Sequence, residues 1–369
     1  MPEIAGSWDN DSAAEAAALV MRHGWNATAY QIVNPGFRYW VPEAGDGIVG
    51  YVYRHGVYVV AGAPVCSEER LEPVLDEWEA FARSKGRSVC YFGAAGRIMD
   101  ALRRRDGYAT VVLGAQPVWD PRRWGEAVDA DRSLRAQFRR AMNKGVRVRE
   151  VPAGSASEDD RLRVCLAGWL GTRGLPPLHF LVEPQTLDRL WDRRVFVAER
   201  AGQVCGFLVL APTPTRSGWL TEQFPRAPGA PNGTVELMFD YGIRAVGRDG
   251  SSYVTMGLVP LSTHGFGAGF TNPLWLRAML GWVRAHGRRF YNFNGLEMFK
   301  SKFHPDAWEG IYAISNEEQF SFRSLYAVAA AFSDGPPWLA VTRGFGRAVR
   351  SEAIRAFTGR SGREMHVRA

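Results

Sequence analysis

Between Asp131 and Arg149 the chain carries seven basic side chains, Arg132, Arg135, Arg139, Arg140, Lys144, Arg147 and Arg149, against one acid, Asp131. Leu134, Phe138 and Ala141 recur there at helical spacing, which predicts a helix with an inward apolar stripe. Clustered Arg and Lys off that stripe supply the salt-dependent phosphate contacts of nucleic-acid or phospholipid binding. The same pattern also describes a solvated amphipathic helix. A second cationic pair, Lys300 and Lys302, is interleaved with Phe299 and Phe303, a spacing that predicts a strand end or tight loop rather than a helix face. Lysines so placed can also be the guards of an edge strand. Two carboxylates, Glu236 and Asp240, fall one turn apart in a predicted helix that starts at Thr234. Glu236 lies in its first turn, where it also suits the helix dipole.

The elements that must position these groups follow from periodicity. Residues 12–23 predict a first helix, with Asp11 or Ser12 as its N-cap. Apolar and aromatic runs at 48–53 and 57–60, split by His55-Gly56, predict a hairpin. Leu71, Val74, Leu75, Trp78 and Phe81 predict a helix closed by Gly86. A strand at 89–92, a helix at 98–105 and a strand at 111–113 follow, the last running into a turn at 117–121. Gly145 stops the basic helix and 146–148 resume as a strand. Residues 158–174 predict a connecting helix and 184–191 another short one. A second hairpin is expected at 195–210 around Ala201-Gly202, then a strand at 219–224, the Glu236 helix, a strand at 253–258, a mobile glycine loop from 265, a helix at 274–286 and a strand at 289–293. Two hairpins about 145 residues apart, each followed by strand and helix patterns, argue for a duplicated fold.

Three segments carry a family resemblance. Gly295-Leu296, Phe299-Lys300, Lys302-Phe303, Pro305, Trp308 and Tyr312 resemble the closing motif of the C-terminal catalytic domain of bacterial phosphatidylglycerol lysyltransferases. Ser133-Leu134-Arg135, Arg140-Ala141 and Lys144-Gly145-Val146 resemble a segment shared by that domain and the Fem peptidyltransferases. Asn232-Gly233-Thr234, Glu236-Leu237 and, beyond a helix and strand, Gly257-Leu258 and Pro260-Leu261-Ser262 are similar to the same domain. The resemblance covers most of 85–315. It implies an α/β fold of two tandem acetyltransferase-like (GNAT-like) domains with mixed sheets, the first at 1–150 and the second, with the active site, at 195–319. Connecting helices would fill 151–194, and a basic helical tail 320–369. It also implies transfer of an aminoacyl group from aminoacyl-tRNA to a lipid hydroxyl such as that of phosphatidylglycerol, without cofactor or metal. Such a reaction needs a base for the acceptor proton, a positive group facing the oxyanion and a carboxylate for the donor's ammonium. Glu236 and Asp240 are the expected carboxylates. Lys300 or Lys302 would face the oxyanion or the terminal tRNA phosphate. Arg139, Arg140 and Lys144 would hold tRNA or lipid phosphate, and Asn292, Asn294 and Trp308 would line the substrate site. Where family members commonly carry an Arg between the Trp and Tyr of the closing motif, this chain has Gly310-Ile311, and it contains no counterpart of the family's membrane flippase portion.

Composition narrows the partners. At 369 residues the chain is long enough for two domains. Its net charge of +7 and pI near 9.4 favour anionic partners. No apolar run reaches membrane-span length, the acidic N-terminus is not a signal peptide, and Cys66, Cys90, Cys165 and Cys205 are too scattered for a zinc site. These features predict a cytoplasmic protein, and the lipid acceptor implied by the resemblance would place it peripherally at the inner face of the cell membrane. The tail bears eight arginines against Asp334, Glu352 and Glu364. Trp338, Val341, Phe345 and Val349 share one helical face there, as in an interfacial membrane helix or a helix docked on the second domain. Other readings are a Fem-like transferase acting on a peptide or small amine, an acyl-CoA-dependent N-acyltransferase, and a non-catalytic basic scaffold. The acyl-CoA reading wants a pyrophosphate loop, of which only Gly93 to Arg97 offers a fragment.

Overall fold

A computed structural model describes residues 10–173, 178–265, 272–274, 276–277 and 293–333. The expected tail helix over 338–349, most of the 274–286 helix, the glycine loop beyond Gly265 and residues 289–292 of the 289–293 strand lie outside them, as does Asn292; Phe293 opens a helix instead. The first hairpin forms where alternation predicts it. Strands β1 (Arg38–Trp40), β2 (Gly47–Arg54) and β3 (Val57–Ala61) are antiparallel neighbours, and His55 and Gly56 make the β2–β3 turn with φ of 49° and 81°. Short β4 (Val65–Cys66) pairs with β2. Helix α1 (Asn10–His23) precedes them, and α2 (Leu71–Ser84) carries the chain over to β5 (Ser88–Ala94), parallel to β3. The apolar stripe of α2 buries Trp78 against Tyr51, Tyr58 and Trp40. Helix α3 (Arg97–Leu102) leads to β6 (Ala109–Trp119).

After α4 (Trp124–Ala130) and α5 (Arg132–Asn143), the second half repeats the scheme. Strands β7 (Arg147–Val151), β8 (Arg194–Arg200), β9 (Gln203–Thr213) and β10 (Gly218–Gln223) are antiparallel in sequence. Helices α6 (Ala153–Glu158) and α7 (Asp160–Gly171) join β7 to β8, and α8 (Thr234–Arg248) joins β10 to β11 (Tyr253–Thr255), which runs parallel to it. Strands β12 (Val259–Pro260) and β13 (Ala307–Ser315) complete the set. Among the described residues all thirteen strands belong to one mixed sheet of order β1-β2-β3-β5-β13-β6-β11-β10-β9-β8-β7, with β12 on β6 and β4 on β2. The closing strand β13 thus crosses back from the second half and fills the gap between β5 and β6 of the first. Two hydrophobic clusters pack on each half.

Four local expectations are corrected. Residues 117–119 are strand, not turn: β6 runs unbroken through Pro117. That proline falls between the β12 contacts at Gly114 and Ala115 and the β11 contacts at Val118 and Trp119, where a residue without an N–H is tolerated. Residues 184–191 are irregular, because Gln223 Nε2 donates to the carbonyls of Glu183 and Pro184 and takes them out of any helical ladder. Gly233, at φ 91°, rather than Thr234 caps α8, and the Thr234 hydroxyl turns back to Pro231 O. Most consequential, Lys300 lies on a helix (Phe293–Ser301). Phe299 and Phe303, four apart, both pack inward, against Phe224 in one case and Phe239 and Trp124 in the other, so burial follows the helical period.

Candidate active site

Asp131 caps α5 by accepting from the backbone N–H of Ser133 and Leu134. Leu134, Phe138 and Ala141 are buried, so Arg132, Arg139, Arg140 and Lys144 must face solvent. They line one shallow groove with Arg135 and Asn143. Among the described residues Arg140 reaches only Gln137, and neither Arg139 nor Lys144 has an acidic partner. The helix therefore offers uncompensated charge.

Gly233 ties this helix to the next element. A Cβ there would lie 2.2 Å from Gln137 O, so only glycine lets the start of α8 pack so closely on α5. One turn into α8, Glu236 accepts from Lys302 Nζ at 2.5 Å, with side-chain exposures of 13% and 34%. The Lys302 ammonium also sits 4.0 Å from the Phe299 ring centroid. Asp240 is on the same helix face but is engaged elsewhere. It accepts from Trp124 Nε1 and Arg244 Nε, both at 2.8 Å, which fixes α4 against α8.

Lys300 is 3% exposed. Its Nζ donates to the carbonyls of Met256, Gly257 and Leu258 at 2.6, 3.0 and 3.2 Å. These carbonyls belong to the loop leaving β11, where Gly257 turns with φ 68°. Burial pushes the Lys300 amine down to about 7. The two lysines thus separate: Lys302 meets Glu236, and Lys300 staples the loop beyond β11.

Trp308 stands on β13 opposite Pro117. Pro117 and Trp119 share a face of β6, and Trp119 Nε1 donates to Phe303 O, so Trp308 lies on the face that carries α8 and the Lys300 helix. Its ring stacks on His264, with centroids 4.5 Å apart and planes at 11°. His264 Nε2 lies 3.7 Å from Glu297, which accepts from the Ser262 hydroxyl at 2.9 Å. Sequence reasoning passed over His264 and Glu297. Glu297 and Lys300 are three apart, a helical signal hidden by the strand reading of that stretch. Asn294 lies in the first turn of the same helix.

On the opposite face Glu309 accepts from Arg216 at 2.6 and 3.0 Å, Gln116 at 2.8 Å and Tyr253 at 3.2 Å. Burial alone would raise its pKa; Arg216, with Gln116 and Tyr253, holds it below the usual carboxylate range. Deeper still, Glu222, at the β10 bulge, is buried with Arg193 and Asn34. Among the described residues there is no cluster of His, Cys, Asp and Glu that could hold a metal ion, and no helix long and apolar enough to cross a membrane. All four cysteines are buried and free.

Two sheet halves, joined through β6 and β13 into one mixed sheet, carry the cationic helix α5 packed on α8 with its Glu236–Lys302 pair, which defines an α/β domain built around one sheet. Residues 17–315 match the family described as phosphatidylglycerol lysyltransferase, C-terminal, and the chain belongs to that family. It is 21% identical over 314 residues to a phosphatidylglycerol lysyltransferase of Staphylococcus epidermidis, covering 84% of this chain and 36% of that protein. It is 28% identical over 306 residues to the lysylphosphatidylglycerol biosynthesis bifunctional protein LysX of Nocardia farcinica, covering 79% and 26%. The chain therefore spans little more than a third of such relatives at most. In fold it is similar to L-PGS from Bacillus licheniformis, with a TM-score of 0.72, 20% identity and coverage of 90% and 97%.

Proposed function

We propose that the chain is an aminoacyltransferase that moves an aminoacyl group from aminoacyl-tRNA to a lipid hydroxyl, with phosphatidylglycerol as acceptor. The observation that carries this reading is the pairing of Lys302 with Glu236 in a chain of this family. It joins the closing motif to the helix behind the Asn232-Gly233-Thr234 turn. An aminoacyl ester is an activated donor, so transfer needs positioning, a proton acceptor and charge stabilisation and no further energy source. Lys302 supplies positive charge beside Glu236, and Glu236 a carboxylate suited to the donor's ammonium. Lys300 acts as a positioning residue, holding the loop after β11. The exposed Arg139, Arg140 and Lys144 would take the polyanionic donor, with the protein peripheral at the inner face of the membrane. The start of α8, where an acyl-CoA pyrophosphate would need open N–H groups, has the backbone of α5 against Gly233; this favours the aminoacyl ester over a CoA thioester. The test is incubation of the chain with charged tRNA pools and total lipid, followed by mass spectrometry. RNase-sensitive aminoacyl-lipid is the expected product. Acetyl-CoA turnover without any aminoacyl product would overturn the reading.

A further inference from the structure

The turn Thr263–Gly265 presents His264 on the sheet face that carries Lys302 and Glu236. Ser262 binds this turn into one unit: its buried hydroxyl donates to Glu297 and accepts from the His264 backbone N–H at 3.3 Å. Glu297 thereby faces Nε2 of the imidazole, and Trp308 covers one side of the ring. Close to half of the His264 side chain remains exposed, and no described residue bonds to Nδ1. Glu297 lies 3.7 Å from Nε2, an ionic contact rather than a hydrogen bond, and a proton held on Nε2 would leave the Nδ1 lone pair to accept another. A base oriented by a carboxylate, with its other nitrogen open, is the arrangement that activates a hydroxyl.

We propose that His264 is the proton-transfer group of the acyl transfer and that Glu297 is its positioning residue; this rests on the aminoacyl-transfer reading above. The acceptor hydroxyl oxygen bonds to the ester carbonyl carbon while its proton passes to Nδ1. The tetrahedral intermediate then breaks its C–O bond to the leaving ribose oxygen, which takes the proton back from Nδ1. The imidazole ends neutral, and no other co-reactant is consumed. Among the described residues, the charged group that lies against the His264 ring is Glu297, 3.7 Å from Nε2. Strand β6 has no titratable side chain between Ala109 and Trp119. On β13, Glu309 points to the opposite face and is paired with Arg216, and Lys300, one turn from Glu297, is turned to the 256–258 carbonyls.

The experiment is a pH–rate profile of the full chain with aminoacyl-tRNA and phosphatidylglycerol vesicles, for wild type, H264Q, H264N and E297Q. Wild-type kcat should rise with pH. H264Q and H264N should lose on the order of 10²–10⁴-fold in kcat and lose that rise. E297Q, which keeps the imidazole but removes the carboxylate beside it, should lose less in kcat and leave KM for both substrates unchanged. Thermal unfolding of each variant shows that the fold is kept, as expected for the exposed His264 side chain and for an isosteric change at Glu297. Wild-type-like rates and profiles in both His264 variants overturn the proposal while leaving the transfer reading intact. An undiminished kcat in E297Q removes the positioning role. No aminoacyl product from the wild type sinks the transfer reading and this proposal with it.

Discussion

Lys302 and Glu236, 66 residues apart in sequence, form an ion pair of 2.5 Å that links the closing motif to the first turn of α8. Neither side chain is fully buried, so the pair is accessible to a substrate as well as a structural tie. If the Glu236 carboxylate binds the donor's ammonium, E236Q should lower kcat/KM by about 100-fold with a small change in stability. The reversed double variant E236K/K302E separates the two roles. It should restore the ion pair and Tm but not activity. Full recovery of activity in steady-state assays would show that the pair is structural only.

Burial holds the Lys300 amine near 7 in the folded chain against 10.5 for a free lysine. Between those values the unfolded chain binds the extra proton, so stability should rise with pH across that window. In K300M the rise should be smaller by a few kcal/mol at most, because the three carbonyl acceptors favour the ammonium and offset part of the burial. Urea unfolding of wild type and K300M at pH 7 and pH 9 measures the difference directly. Parallel pH dependences would mean that Lys300 stays protonated throughout. K300M should also lower activity, since the loop after β11 loses its staple.

Gly233 should be intolerant of any side chain. At φ 91° and with Gln137 O at 2.2 Å from an added Cβ, G233A must push α5 away from α8. The expected cost is about 2–4 kcal/mol from steric overlap and backbone strain together. The basic helix and the Glu236 helix would shift relative to each other, so tRNA affinity and kcat should fall together. A G233A chain with wild-type Tm and activity would argue against a rigid α5–α8 junction.

Local pattern made the hairpins at β2–β3 and β8–β9, the helices α2, α5 and α8 and the cationic face of α5 legible, because each is fixed by neighbours in sequence. The strand reading of Lys300 failed for a tertiary reason. Phe299 and Phe303 each bury against rings from distant segments, Phe224 in one case and Trp124 and Phe239 in the other, and a four-residue interval read alone looks like alternation with a gap. The motifs single out Lys302 and Glu236 as separate site residues, and the fold brings them into contact. The expectation for Lys300 differed, since no local signal marks carbonyls 42 to 44 residues away as its partners. The insertion of β13 between β5 and β6 was likewise invisible, as strand order is set by which edges remain unpaired.

The cationic face of α5 makes a prediction that separates polyanion binding from mere solvation. Arg139 and Lys144 have no acidic partner among the described residues, and Arg140 touches only an amide, so little is lost from the fold when their charge is reversed. Stability of R139E, R140E and K144E should therefore stay within about 0.5 kcal/mol of wild type. Each phosphate contact removed should reduce the slope of log affinity against log salt by about 1. Measured with charged tRNA across a salt series, the triple variant should have a visibly flatter slope and weaker binding at low salt, with KM for tRNA raised more than kcat is lowered. An unchanged slope would assign these side chains to solvent, and the donor would have to dock on another face.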